Sequence, residues 1–150
     1  MSIIPSELQA ITGKELGVSG WITIDQNMIN QFAEVTGDHQ FIHIDQQAAA
    51  RTPFGDTVAH GFLVLSLLPR LTYPLIEGLL SHGVIINYGC NKLRFIAPVK
   101  NGKKVRARVT LNRVEEKQPG FLMHETFTIE IEGEETPALI AQWLSLYISN

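Results

Sequence analysis

The chain has 150 residues, 45% hydrophobic and 18% charged, with a net charge of −3 and a single cysteine. This length and composition predict one globular domain over residues 1–150, with a core that needs neither disulfide nor structural metal. The acidic balance excludes bulk attraction to nucleic acid or an anionic membrane, and the longest apolar run, Phe62 to Leu68, is far shorter than a bilayer span.

In chain order, the opening MSIIPSELQAITGKEL has no basic n-region and carries Glu7, so no signal peptide is expected. Ser6 to Thr12 reads as a short helix between Pro5 and Gly13. Gly17 to Ile24, with Trp21 and β-branched residues, reads as a strand. Asp25 is placed to cap a helix running to about Thr36, with Met28, Ile29, Phe32 and Val35 on one face and Gly37 as its stop. Asp38 to Gly61 reads as irregular, apart from a helical turn around Asp45 to Arg51. A loop of that length in a small domain points to function. His60 to Glu77 is apolar on every side, which predicts a helix buried in the middle of the protein, kinked or shortened by Pro69 and Pro74.

The second half reads as β-structure. Val84 to Phe95 gives one or two strands, and Cys90 within them is expected to be a buried, inert thiol suited to a reducing cytoplasm. From Lys104 to Val114, Val105, Ala107, Val109 and Leu111 alternate with Arg106, Arg108, Thr110 and Asn112, the pattern of a half-buried strand. Phe121 to Glu132 and Pro137 to Ile148 give two more, joined at a turn around Gly133. The fold class is α+β: an antiparallel β-sheet wrapped around a central buried α-helix, the hot-dog fold. Between Glu77 and Glu115 there is no acidic residue, while eight of the twelve lysines and arginines lie there. Such a basic face suits a small polyanionic ligand, unless it is only the solvated side of strands.

Reactive groups concentrate in the loop. Asp38, His39, His43 and Asp45 follow the helix stop directly, and His60 and Gly61 open the apolar helix. A carboxylate and an imidazole on an irregular segment can converge on one water, the first taking a proton and the second orienting it. A helix start offers unpaired N–H groups to a carbonyl oxygen that becomes negative. Other readings stand beside these. Asp38 also suits a turn or cap, His43 a satisfied core position, His60 a cap or a support for the loop, and Gly61 close packing. His39 and His43 have the spacing of a zinc pair, but only on a helix, and Gly37 ends the helix before them, so no metal is expected. Ser66 lacks a nucleophile-elbow sequence.

FAEVTGDHQFIHID, followed by FGDTVAHGFLVLSLLP, resembles the signature of the MaoC-like hydratases, the R-specific enoyl-CoA hydratases, and within them the nodulation protein N-like branch, which shares QFIHID and INYGCNKLRFIAPV-like segments. The resemblance spans nearly the whole chain. It implies a single hot dog that pairs into homodimers and reversible syn hydration of a trans-2-enoyl thioester to the (3R)-3-hydroxyacyl thioester. Asp38 and His43 would hold the attacking water, and the Gly61 N–H would meet the thioester carbonyl. The acyl chain would lie in a tunnel beside the central helix. Gln40, Phe41, His60, Asn87 and Asn91 are further candidates for the substrate site, with Lys92 and Arg94 for the phosphates of coenzyme A (CoA). No cofactor is implied beyond the CoA of the substrate. Many members carry Asn-Pro where this chain has Gln40-Phe41, a change that bears on acyl-chain length more than on reaction type.

The expected function is therefore a cytoplasmic, homodimeric enoyl-CoA hydratase acting on an acyl-CoA thioester, with no nucleic-acid or membrane partner. Its rivals are a hot-dog thioesterase and a non-catalytic accessory protein that binds acyl thioesters. The usual thioesterase carboxylate lies on the buried helix, and here that helix has none before Glu77.

Overall fold

The computed structural model describes residues 5–77 and 82–150. The first four residues, read in the sequence as part of a start without an export signal, lie outside the described residues. The chain begins with α1 (Ser6–Ile11), β1 (Lys14–Val18) and β2 (Ile22–Thr23), followed by α2 (Gln26–Thr36). The single strand expected from Gly17 to Ile24 is thus two, separated around Gly20. The short helices α3 (Phe41–Ile44) and α4 (Gln46–Ala49) follow, then α5 (Gly61–Ser66), α6 (Leu68–Thr72) and a 3₁₀ turn (Tyr73–Leu75). Four long strands complete the fold: β3 (Gly83–Phe95), β4 (Lys104–Lys117), β5 (Gly120–Ile131) and β6 (Leu139–Ser149). They form one antiparallel sheet in the order β1-β4-β5-β6-β3, with β2 also on β4.

Alternation decides which side of the sheet faces the helix. Val105, Ala107, Val109 and Leu111 are all fully buried, as their spacing predicts. The first three of them, with Phe127, Ile129, Leu139 and Ala141, pack against Leu63, Val64, Leu67, Leu68 and Leu71 of the central helical segment. A second cluster joins Leu8 of α1 to Leu111, Met123 and Tyr147. This is the hot-dog arrangement, a sheet curled over a central helix.

The central segment departs from an uninterrupted helix buried on every side. Pro69 opens α6 in its first turn, where its missing N–H costs little, and Pro74 falls in the 3₁₀ turn. One side of the segment is open, with Phe62 64% exposed and Tyr73 half exposed. In α2 the buried residues are Ile29 and Ala33, whereas Val35 is 85% exposed. Val35 lies two residues from Ala33, so it cannot share that buried stripe. Asp25 caps α2 as expected, accepting a hydrogen bond from the Met28 N–H at 2.8 Å, and Gly37 closes it at a left-handed φ of 76°. Cys90 is exposed, not buried. It sits on β3, the last strand of the sheet order, and its thiol donates to the Lys92 carbonyl. Among the described residues no helix is long and apolar enough to cross a membrane.

The basic stretch is mostly neutralised by acids from elsewhere in the chain. Arg106 pairs with Glu130, directly opposite it on β5, and Arg108 reaches both Glu130 and Glu15. Lys103, Lys104 and Arg113 pair with Glu134, Glu132 and Glu115. Arg106 also lies over the Trp21 ring at 4.5 Å. The run without acidic residues is therefore no continuous polyanion site, because sheet pairing supplies the missing carboxylates.

The two faces of α2 give a direct check. Ile29→Ala is expected to lower the unfolding free energy in urea by about 2–5 kcal/mol, through lost burial and a residual cavity. Val35→Ala is expected to stay within about 0.5 kcal/mol of the parent. Similar losses in the two variants would contradict the orientation of the helix.

Candidate active site

The site is assembled from three segments that meet at the start of α5. Asp38 follows the Gly37 stop of α2, His43 lies in α3, and His60 immediately precedes α5. Each offers one ligand-type atom, and these lie within 4.8 Å of one another. Their exposure differs sharply: His43 is 7% and His60 3% exposed, whereas the Asp38 side chain is about half exposed.

Hydrogen bonds fix the imidazoles. His43 Nδ1 lies 2.6 Å from the Val58 carbonyl, which can only accept, so Nδ1 carries the proton and Nε2 is the free acceptor of the neutral ring. The Val58 N–H in turn donates to the Ile42 carbonyl at 3.0 Å. Gln26 adds a second brace, donating to the His43 carbonyl at 2.7 Å and accepting from the Thr57 hydroxyl. By the same argument His60 Nε2 is the protonated nitrogen, because it donates to the Asp38 carbonyl at 2.9 Å. Among the described residues its Nδ1 has no hydrogen-bond partner, and it is buried. The His43 and His60 rings stack at 3.7 Å, and Phe32 covers His60 at 5.0 Å.

Burial pushes the His43 pKa below the ordinary histidine value. The Val58 hydrogen bond and the Asp38 carboxylate oppose that shift in part, and the stacked His60 adds to it. The ring is thus held neutral, with a lone pair on Nε2, beside a water-facing carboxylate. A ring nitrogen of His43 lies within 4.8 Å of an Asp38 carboxylate oxygen, a spacing that one bridging water spans.

Other residues of the loop go elsewhere. His39 pairs with Glu34 at 2.8 Å on the surface of α2, which raises its pKa, and Asp45 caps α4 through the Ala48 N–H. His39 precedes α3 while His43 lies within it, so the two do not form a zinc-type pair. Gln40 and Phe41 open α3 at the surface; the Gln40 N–H donates to Asp38 Oδ1 at 3.3 Å. A Cβ on Gly61 would lie 2.8 Å from the Phe95 ring, so packing alone calls for glycine. The side chain of His60, the residue before α5, does not cap it.

The β3 candidates divide. Asn87 lines a cavity of about 340 Å³ beside α5 and α6. Asn91 is exposed at an irregularity of the β3 ladder. Lys92 and Arg94 are exposed and alternate with Leu93 and Phe95, whose side chains face the helix, so strand geometry turns them to the opposite face. Lys100 is exposed, and its backbone is paired by a β-bridge with Val58, the residue that fixes His43.

One residue escaped the reading of the sequence. Glu125 is only 4% exposed and lies on the wall of the same cavity, between buried Met123 and Phe127 on the inward face of β5. The Ser145 hydroxyl donates to its Oε2 at 2.6 Å. The signal was present in Phe121 to Glu132, where residue 125 falls in phase with inward Met123, Phe127, Ile129 and Ile131. Burial pushes its pKa up to about 7, which the Ser145 hydrogen bond only partly offsets.

The folded protein therefore holds the Glu125 proton over a range in which the unfolded chain has lost it. This contribution to stability is fully present below pH 4.5, the ordinary glutamate value, and is lost as pH rises through about 7. Glu125→Gln is expected to remove that decline, measured as urea-unfolding free energy against pH. Equal pH slopes in parent and variant would show that the carboxyl is not held protonated.

Comparison with known proteins places the chain in a family. The MaoC like domain model matches residues 7–132. Nodulation protein N of Rhizobium meliloti is 45% identical over 143 residues, covering 94% of this chain and 89% of that protein. The 3-hydroxyacyl-thioester dehydratase Z of Mycobacterium tuberculosis is 44% identical over 147 residues, covering 96% and 95%. The solved (R)-hydratase from A. caviae superposes with a TM-score of 0.74 at 24% identity, over 90% of this chain and 95% of that one. The chain belongs to the MaoC-like domain family.

Proposed function

We propose that this MaoC-like chain is an R-specific enoyl-CoA hydratase, interconverting a trans-2-enoyl-CoA and its (3R)-3-hydroxyacyl-CoA. The observation that carries this reading is the buried, neutral His43, a ring nitrogen of which lies within 4.8 Å of the half-exposed carboxylate of Asp38. Two acceptors on one water take both its O–H bonds and leave an oxygen lone pair for the β-carbon of the enoyl group. As the C–O bond forms, the pair removes one proton from that water and delivers a proton to the α-carbon on the same face. The thioester oxygen, which gains charge as the enolate forms, is met by the Gly61 N–H at the uncapped start of α5. His60 is a positioning residue here, since its Nε2–H is spent on Asp38's carbonyl and its Nδ1 is sealed.

The substrate lies with its acyl chain in the cavity beside α5 and α6 and its CoA phosphates toward Lys100, with no further cofactor. The setting is the cytoplasm, where acyl-CoA thioesters are metabolised. A thioesterase is less well supported, because the carboxyl in the cavity, Glu125, is not among the groups gathered at the reacting end, Asp38, His43 and His60. The protein acts as a homodimer. Among the described residues β3 ends the sheet order with an unpaired edge, and it exposes Val84, Ile86 and Tyr88, an apolar edge that a second copy covers. Sedimentation equilibrium at the monomer mass would remove this part of the proposal.

Loss of one partner of an acid–base pair costs about a hundredfold to ten-thousandfold in rate. Asp38→Asn and His43→Ala are each expected to lose crotonyl-CoA hydration by that factor, with circular dichroism and unfolding midpoint close to the parent. Near-normal turnover in either variant sinks the assignment.

A further inference from the structure

The cavity beside α5 and α6 has apolar walls, formed in part by Leu65, Leu68, Phe127 and Trp143, and a polar patch of Glu125, Ser145 and Asn87. An alkyl chain alone gives that patch nothing to bond. Glu125 sits opposite Leu111 and Trp143 in the neighbouring strands, and among the described residues it has no cationic partner. An ionised carboxyl can accept about four hydrogen bonds, and here Ser145 supplies one. If the position served packing alone, an apolar side chain would avoid the desolvation that burying this group incurs.

We infer that Glu125, with Ser145, recognises a hydroxyl group carried along the acyl chain, so that the preferred substrates are chain-hydroxylated 2-enoyl thioesters. The inference rests on the proposal that this cavity takes the acyl chain. A hydroxyl suits the site because it donates to a carboxylate and accepts from a carboxylic acid, and Glu125 titrates near neutrality. A chain ending in a carboxylate would meet like charge whenever Glu125 is ionised. By helical rise the cavity-lining residues from Leu65 to Thr72 lie roughly 6–16 Å along the axis from Gly61, which places the recognised hydroxyl well beyond the reacting double bond.

The test is calorimetric binding of saturated acyl-CoA chains, which cannot turn over, to the full chain. Each plain chain is compared with same-length chains bearing one hydroxyl at successive positions. At one or two positions the hydroxylated chain is expected to bind about tenfold to a hundredfold tighter than the plain one, the range for a hydrogen bond to a charged group. Glu125→Leu is expected to abolish that preference and tighten binding of the plain chain. Glu125→Gln, close in shape and able to donate and accept, keeps part of it and guards against misfolding of the leucine variant. Binding without discrimination at any position, or a preference that survives Glu125→Leu, overturns the inference and leaves the hydratase proposal standing. A preference lost with Glu125 in a protein that hydrates no enoyl-CoA supports recognition of the chain hydroxyl by Glu125 and overturns both the hydratase proposal and the 2-enoyl substrate class. Failure of every acyl-CoA to bind overturns both.

Discussion

The hydrogen bond from His60 Nε2 to the Asp38 carbonyl joins two parts of the chain that are distant in sequence, the stop of α2 and the start of α5. The same ring stacks on His43, whose own proton is fixed by Val58. Without this imidazole, Asp38 would be held by local contacts alone, the Thr36 hydroxyl at 3.4 Å and the Gln40 N–H at 3.3 Å, both long. A buried polar ring with one unpaired nitrogen is costly, and a better-packed apolar side chain could fill the space. It could not place a backbone carbonyl, a second imidazole and a helix start around one point. The link from packing to function therefore runs through a residue that has no polar atom free to meet a substrate.

Burial sorts the ionisable groups along the central helical segment. At its N-terminal end it keeps His43 neutral, with an acceptor available, while Asp38 faces water. Farther along it keeps Glu125 protonated up to about pH 7. The shifts are opposite in direction and share one cause, because a low-dielectric surrounding disfavours whichever form carries charge. The helical segment thus separates a site suited to proton transfer from a cavity suited to hydrogen-bond recognition, and neither needs a cation close to it.

Period-2 and period-3.6 signals were legible wherever burial is one-sided. Val105 to Leu111 could be assigned to the core from alternation alone, and the caps of α2 from Asp25 and Gly37. Legibility failed where neighbours outside the segment decide the outcome. The basic run looked unpaired because its acids come from β5, β1 and the turn after β5, which only register reveals. Cys90 looked buried because a strand with apolar residues was read as internal, whereas the topology makes β3 an edge. The all-apolar helix looked enclosed, yet one chain's sheet covers a single face. His60 could be read as a support for the loop, but its partner, the Asp38 carbonyl, could not be named from spacing. Glu125 was missed for a different reason: one carboxylate in an alternating strand was averaged into the pattern, when its phase with Met123 and Phe127 set it apart.

Gly61 shows how a structural and a chemical reason can coincide without one proving the other. The Phe95 ring fills the place where a Cβ would be, so glycine is required by packing between β3 and α5. Its identity is therefore no evidence that the backbone binds an oxyanion. What bears on that role is the uncapped helix start, together with the residue directly before it. His60 turns inward to Asp38 and His43, so its side chain does not cap the first N–H groups of α5. A serine or aspartate at position 60 would cap those groups and would also release Asp38. The requirement for an open helix start and the requirement for an anchored Asp38 thus fall on the same residue, and histidine meets both because its donor reaches across to another segment and not back onto its own helix.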